Sequence, residues 1–149
     1  MNPVIISKVL QKKYFMQIVF AAILIIGADT LKTLLNLTDA SVDQTFMIVI
    51  ATLAGITAFA APVLYRSYFI HKIKDKKEIT LEQFVLFERK LISIALMTPY
   101  FIIVSILLNL NQTTNILITL FALYAAYFYF PSEKKVRFEM KVFRIKPTK

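Results

Sequence analysis

Residues 91–110 read LISIALMTPYFIIVSILLNL, a run of 20 residues without a charged side chain. A helix of about 20 apolar residues is long enough to cross the roughly 30 Å hydrocarbon core of a bilayer. Residues 14–35, 46–65 and 114–130 are similar to it in length and composition. The sequence therefore predicts four transmembrane helices, which occupy more than half of the 149 residues.

The composition favours one membrane domain over a soluble one. Apolar residues make up 58% of the chain and cluster in long runs, and cysteine is absent, which excludes disulfides and thiol chemistry. The net charge of +9 would suggest nucleic-acid binding in a soluble protein, but beside membrane spans it is first a topology signal. We predict a transmembrane domain over residues 1–131, a basic tail over 132–149, and no direct binding of nucleic acid.

The basic residues fall on one side of the four predicted spans. Seventeen of the eighteen Lys and Arg residues lie in the N-terminal segment, between spans two and three, or in the C-terminal tail, and only Lys32 does not. The connections 36–45 and 111–113 contain no Lys or Arg. Because basic residues beside a span resist translocation, we predict a multi-pass protein of the cytoplasmic (inner) membrane with both termini cytosolic.

The connection between spans two and three carries a helix-start signal. Thr80-Leu81-Glu82-Gln83 matches a capping box, and a helix over residues 81–108 would be about 42 Å long. Because this exceeds the hydrocarbon thickness, its first turns should project into the cytosol, beside a helical extension of span two over residues 66–77. Pro99 should interrupt the helix and free the carbonyl of Ala95.

The basic tail has a different pattern. Its apolar residues alternate with charged ones: Val136, Phe138, Met140 and Val142 alternate with Arg137, Glu139 and Lys141. A period of two with aromatic and β-branched residues favours a strand. The predicted fold is thus an all-α bundle of four transmembrane helices with a short cytosolic helical extension and a strand-like tail.

Asp29 and Lys32 are the charged residues inside a predicted span. A carboxylate at membrane depth usually serves as an ion or proton site. Alternatively, Asp29 and Lys32 form a structural pair three residues apart on one helix face, with the lysine extending to the headgroups. The sequence leaves both interpretations open.

Two further groups of residues are candidates for contacts. Small residues four apart in span two allow close helix packing and self-association in lipid: Ala51, Ala54, Gly55 and Ala58. Cations on the cytosolic side are candidates to contact anionic lipids of the cytosolic leaflet or a cytosolic protein: Arg66, Lys72, Lys74, Lys76, Lys77, Arg89, Lys134, Lys135, Arg137, Lys141 and Arg144.

These features favour a non-enzymatic membrane subunit, an anchor, scaffold or sensor, which forms a homo-oligomer and docks a cytosolic protein through its basic inner face. The alternative is a small ion- or proton-coupled transporter, or an oligomeric pore, that uses Asp29. An enzyme is not expected, because the sequence shows no acid–base, nucleophile or metal-ligand constellation. No cofactor is predicted.

Overall fold

The computed structural model describes residues 3–35, 42–74 and 79–145. Every regular element within these ranges is helical, which confirms the all-α prediction. The elements are α1 Pro3–Leu34, α2 Gln44–Gly55, a π-helical turn Ile56–Ala60, α3 Ala61–Ile73, α4 Leu81–Ala95, α5 Tyr100–Leu107, α6 Gln112–Phe128 and α7 Glu133–Val142.

Three helical stretches within the described ranges are long and apolar enough to cross a membrane: Pro3–Leu34, Gln44–Ile73 and Leu81–Leu107. The number becomes four if α6 and α7, which meet at a bend of 72°, are counted as one. Many large apolar side chains on these helices remain exposed, as they would be if lipid surrounded them. The structure is consistent with a multi-pass membrane protein.

The helices place the basic segments at the same end of the bundle. Tyr14 on α1 donates a hydrogen bond from Oη to the carbonyl of Ala126 near the end of α6, at 2.6 Å. The rings of Tyr65 on α3 and Phe87 on α4 stack at 5.6 Å. We call this end, which also contains α7, the basic end, and define it as residues 3–13, 66–74, 79–90 and 131–145.

The largest buried apolar cluster lies mainly at the basic end. Phe84 and Phe87 of α4 are fully buried there, and Phe143, just after α7, packs against both rings. Ile6 and Leu10 of α1 complete this core from the other side. The basic end is therefore a folded unit with its own interior, and not a set of loose connections.

The tail is the one clear error of the sequence-based fold. Residues 133–142 form α7 and not the predicted strand. Ser132 caps the helix by accepting a hydrogen bond from the backbone N–H of Lys135, and Val136, Met140 and Phe143 are buried. Their spacing of four and three residues is helical, so burial of this stripe favours the helix over the alternating pattern that suggested a strand.

The start of the third predicted span agrees with its capping signal. Helix α4 begins at Leu81, and Thr80 Oγ1 accepts a hydrogen bond from the backbone N–H of Gln83 at 3.4 Å. Ile79 and Phe84, on either side of the first turn, are both buried. The predicted helix start at Leu81 is thus confirmed, and the first part of α4 precedes the apolar stretch 91–110.

The predicted interruption at Pro99 is also present. Turns at residues 96–99 separate α4 from α5, and the carbonyl of Ala95 accepts hydrogen bonds from the backbone N–H and the hydroxyl of Thr98. Thr98 Oγ1 also lies 3.1 Å from Thr57 Oγ1 in the π-helical turn. The irregular turns of two neighbouring helices therefore meet through one pair of threonines.

Candidate functional site at the basic end

An ion pair with a buried carboxylate joins α7 to α3. Arg66 donates two hydrogen bonds to Glu139, from Nη1 to Oε1 at 2.8 Å and from Nη2 to Oε2 at 3.0 Å. Glu139 is only 4% exposed, whereas the Arg66 side chain is 37% exposed. The parallel, two-point geometry is the strongest form of this contact, and it fixes the orientation of α7 on the bundle.

Glu88 brings a second carboxyl group to this pair. It lies on α4 before the apolar stretch 91–110, so it is outside the predicted membrane span. The side chain is 3% exposed, and its Oε1 has no hydrogen-bond partner among the described residues. Burial raises the pKa of Glu88 to about 7, and the charge of Glu139 adds to this effect against the opposing Lys135 and Arg66. Glu88 can therefore bind and release a proton near neutral pH.

Lys135 is turned toward the protein. Its Nζ donates a hydrogen bond to the carbonyl of Phe128 at 2.9 Å and lies over the rings of Phe128 and Tyr129, 5.4 and 5.1 Å from their centroids. Burial lowers the pKa of Lys135, and the nearby Glu88 and Glu139 oppose this shift. Lys135 is half-buried, and we call Lys135, Glu88, Glu139 and Arg66 together the buried cluster.

The outer face of α7 carries exposed cations around an aromatic ring. Phe138 is 61% exposed and borders a shallow hollow of about 440 Å³. Arg137 contacts Glu133, one turn earlier on the helix, at 2.5 Å. We call this surface the α7 platform, and it consists of Lys134, Arg137, Phe138, Lys141 and Val142, with Arg144 just beyond the helix.

The other predicted contact residues of the basic end have different environments. Lys72 and Lys74 are exposed at the end of α3. Arg89 is partly buried, and its Nε has no hydrogen-bond partner within the part of the chain that the structure describes. Lys76 and Lys77 lie outside the described residues.

Asp29 and Lys32 occupy the opposite end of the bundle. Asp29 is exposed on α1, and its side chain makes no hydrogen bond or ion pair to any described residue. Lys32 donates from Nζ to Oδ1 of Asn109 at 2.6 Å, which ties α1 to the end of α5. The contact of Lys32 in this chain is therefore an amide, and not the carboxylate of Asp29.

The small residues of span two have distinct positions. Ala54 and Ala58 are fully buried. A Cβ added at Gly55 would lie 3.3 Å from the Phe121 ring on α6, so a larger side chain there would push this ring away. Ala51 and Gly55 also line an apolar groove of about 550 Å³ between α2 and α6.

Sequence reasoning missed the two carboxylates of the buried cluster. Glu139 lies on the stripe of Val136, Met140 and Phe143, so a helical interpretation of the tail would have placed it inside. Glu88 follows Phe87 and precedes Leu91 on the buried face of α4. An acidic residue within the apolar stripe of a helix is buried and normally has a charged partner. This pattern at Glu88 and Glu139 would have indicated a buried ionic cluster.

The buried cluster can bind a proton at Glu88, and it holds α7 on the bundle. It combines two carboxyl groups, Glu88 and Glu139, with the cations of Arg66 and Lys135. Over residues 3–35, 42–74 and 79–145, no three His, Asp or Glu side chains converge in a way that could hold a metal ion.

Comparison of the chain with protein-family models, with curated proteins and with solved structures finds no match.

Proposed function

We propose that this chain is a non-enzymatic, multi-pass subunit of the cytoplasmic membrane that docks an acidic cytosolic protein on the α7 platform. The observation that carries the proposal is the form of the tail. It is a helix with one face buried on the bundle and the other exposing Phe138 among cations. Topology requires only positive charge on this side of the membrane, and not a folded helix that presents it.

The chemistry of the α7 platform suits protein recognition. Aromatic and arginine side chains supply much of the binding energy of protein interfaces, and Phe138 and Arg137 lie side by side in this surface. The surrounding Lys134, Lys141 and Arg144 are exposed. They would attract an acidic partner and increase its association rate. The fixed orientation of α7 by Arg66 and Glu139 would reduce the entropy lost on binding.

Self-association is part of the proposal. The groove along Ala51 and Gly55 has small residues on one wall and leaves room for an apolar helix or a lipid chain. Native mass spectrometry of the protein in mild detergent would count the subunits. An Ala51→Leu variant, which adds bulk to the groove, should shift a dimer to monomers. A wild-type protein that is monomeric at all concentrations would contradict self-association.

The alternative role in transport would require Asp29 to act as an ion or proton site. In a single chain, Asp29 is exposed and lacks a described ionic partner, so such a site would have to form between subunits. Liposome flux that is abolished by Asp29→Asn would favour transport over docking.

Docking is tested by site-specific cross-linking in native membranes. A photoreactive amino acid replaces Phe138, and the cross-linked species is identified by mass spectrometry. We expect one cytosolic protein with an acidic contact surface. Lys134→Glu with Lys141→Glu should reduce its yield at least about tenfold, because two attractive charge contacts become repulsive.

The matched control reverses two other exposed cations of the basic end, Lys8 and Lys12, to Glu. This control should retain the cross-link, and reversal of the partner's own acidic residues should rescue the Lys134→Glu, Lys141→Glu variant. Cross-links to lipid alone, or equal losses in test and control variants, would contradict a protein-docking role.

A further inference from the structure

A cleft of about 430 Å³ opens between α3 and α4 at the basic end, away from the α7 platform. Its floor is aromatic: Phe87 stacks at 4.1 Å on Phe69 and at 5.6 Å on Tyr65, with nearly parallel rings. Phe87 itself is fully buried. The floor is thus formed by packed side chains, and the space above it is not filled by any described part of the chain.

The charged residues that line this cleft, among those the structure describes, are cations. Lys72 from α3 and Lys90 from α4 line it, and no carboxylate does so among the described residues. Two acids are next in sequence to lining residues. Glu88, beside Phe87, lies on the buried face of α4 near Arg66, and Glu82, beside Gln83, is exposed on the first turn of α4 but does not line the cleft. A ligand for the cleft therefore carries negative charge.

Apolar side chains also line the entrance. Tyr68 on α3 and Leu86 on α4 border the cleft and are more than half exposed. A purely ionic ligand, such as inorganic phosphate, would leave these surfaces in contact with water. A ligand with both an anionic group and an apolar part would cover them and gain hydrophobic free energy.

The position of the cleft identifies the source of such a ligand. Tyr65 is the last residue of the second predicted span, and Lys90 directly precedes the third. From Tyr65 to Lys72, α3 rises about 10 Å, against roughly 5–8 Å for the headgroup region of one leaflet. If the predicted spans lie in the membrane, Lys90 is at the inner edge of this region and Lys72 at its outer edge, so the two lysines flank the level of the lipid phosphates.

We propose that this cleft binds an anionic phospholipid, with the phosphate between Lys72 and Lys90 and the start of an acyl chain against Tyr68 and Leu86. The inference rests on the membrane placement in the proposed function, but not on docking at α7. Because it is measured on the purified chain alone, its failure is separate from failure of the cross-linking experiment.

Native mass spectrometry of the full chain, titrated in detergent with phosphatidylglycerol or phosphatidylcholine, tests the proposal. We expect saturable binding of one phosphatidylglycerol and weaker binding of phosphatidylcholine. Lys72→Gln with Lys90→Gln should weaken phosphatidylglycerol binding at least about tenfold, since each cation near a leaflet contributes roughly 1 kcal/mol. Lys8→Gln with Lys12→Gln removes the same charge from the same end and should leave the affinity unchanged.

A second variant tests the apolar entrance. Leu86→Glu adds a carboxylate to the exposed rim and should also weaken binding, while its thermal unfolding midpoint reports whether the fold is intact. If the Lys8, Lys12 variant loses as much affinity for phosphatidylglycerol as the Lys72, Lys90 variant, the lysines act only by general surface attraction. This result would overturn the proposal. Competition by glycerol phosphate at the same concentration as the lipid would assign the cleft to a free phosphate compound and would also overturn it.

Discussion

Arg66 and Glu139 are 73 positions apart in the sequence and are joined by two parallel hydrogen bonds of 2.8 and 3.0 Å. This contact connects the end of a predicted membrane span to the helix that follows the last one. It explains how a short, highly charged helix remains docked on an apolar bundle. The carboxylate of Glu139 is buried, so it depends on the guanidinium for charge compensation.

Replacement of Arg66 by Met should release α7 from the bundle. The variant leaves the buried carboxylate of Glu139 uncompensated and close to Glu88. Because the Arg66 side chain is 37% exposed, we expect a cost below the roughly 3–5 kcal/mol that is typical of fully buried pairs. Limited trypsinolysis in detergent should then cleave rapidly after Lys134, Arg137 and Lys141, while the spans remain intact.

Arg137→Met is the control, because it breaks the exposed contact with Glu133. Such exposed pairs contribute only about 0.3–0.5 kcal/mol, so the control should resist trypsin like the wild type at the remaining sites. Replacing both buried partners, with Arg66→Met and Glu139→Leu, should restore part of the protection. Equal protection of the wild type and Arg66→Met would show that apolar packing alone holds α7.

Stability should decrease as the pH rises toward neutrality. Glu88 has a pKa of about 7 in the folded chain and 4.5 as its ordinary value, so the folded chain binds more protons between these pH values. The free energy of unfolding therefore falls as the pH rises through this window, and the loss persists above it. Glu88→Gln mimics the protonated acid and should raise the unfolding midpoint by several degrees at pH 8, but hardly at pH 5.

The measurement is thermal unfolding in detergent at both pH values. Glu82→Gln is the matched control, since Glu82 is exposed on the first turn of the same helix. It should leave the pH dependence unchanged. A Glu88→Gln midpoint that follows the wild type at every pH would mean that Glu88 stays ionised in the folded chain.

The apolar helices could be predicted from the sequence because their signal is one-dimensional. A run such as residues 91–110 needs no knowledge of its neighbours to be identified as a long apolar helix. Thr80 and Pro99 also act locally, through a capping hydrogen bond and a missing backbone N–H, and both marked irregular points correctly. Local rules therefore predicted the helix positions.

The tail and the buried cluster could not be predicted in this way, because both depend on distant contacts. The alternation from Val136 to Val142 fits a strand, whereas the spacing of Val136, Met140 and Phe143 fits a helix. Packing of Phe143 against Phe84 and Phe87 decides between them. The same packing brings Glu139 to Arg66. Because the tail was predicted to be a strand, the ion pair was not predicted either.

The threonine pair between the π-helical turn and the Pro99 turn should stabilise the bundle. Two hydroxyl protons serve three contacts: Ala54 O, Ala95 O and the 3.1 Å approach of Thr57 to Thr98. Thr98→Val removes one of the two hydrogen bonds that Thr98 donates to Ala95 O and should lower the free energy of unfolding by about 1 kcal/mol. A double-mutant cycle with Thr57→Val should give a coupling energy of about 0.6 kcal/mol. Strict additivity would show that the two hydroxyls bond only their own helices.

The predicted membrane orientation can be tested with single cysteines, because the chain has none of its own. Asp43→Cys and Lys141→Cys place a thiol at exposed positions near opposite ends of the bundle. Since the basic end should resist translocation, a membrane-impermeant maleimide added to intact cells should label position 43 and not position 141. Permeabilised cells should show labelling of both, which controls for access. Labelling of position 141 in intact cells would place α7 outside and would remove the basis for docking a cytosolic protein.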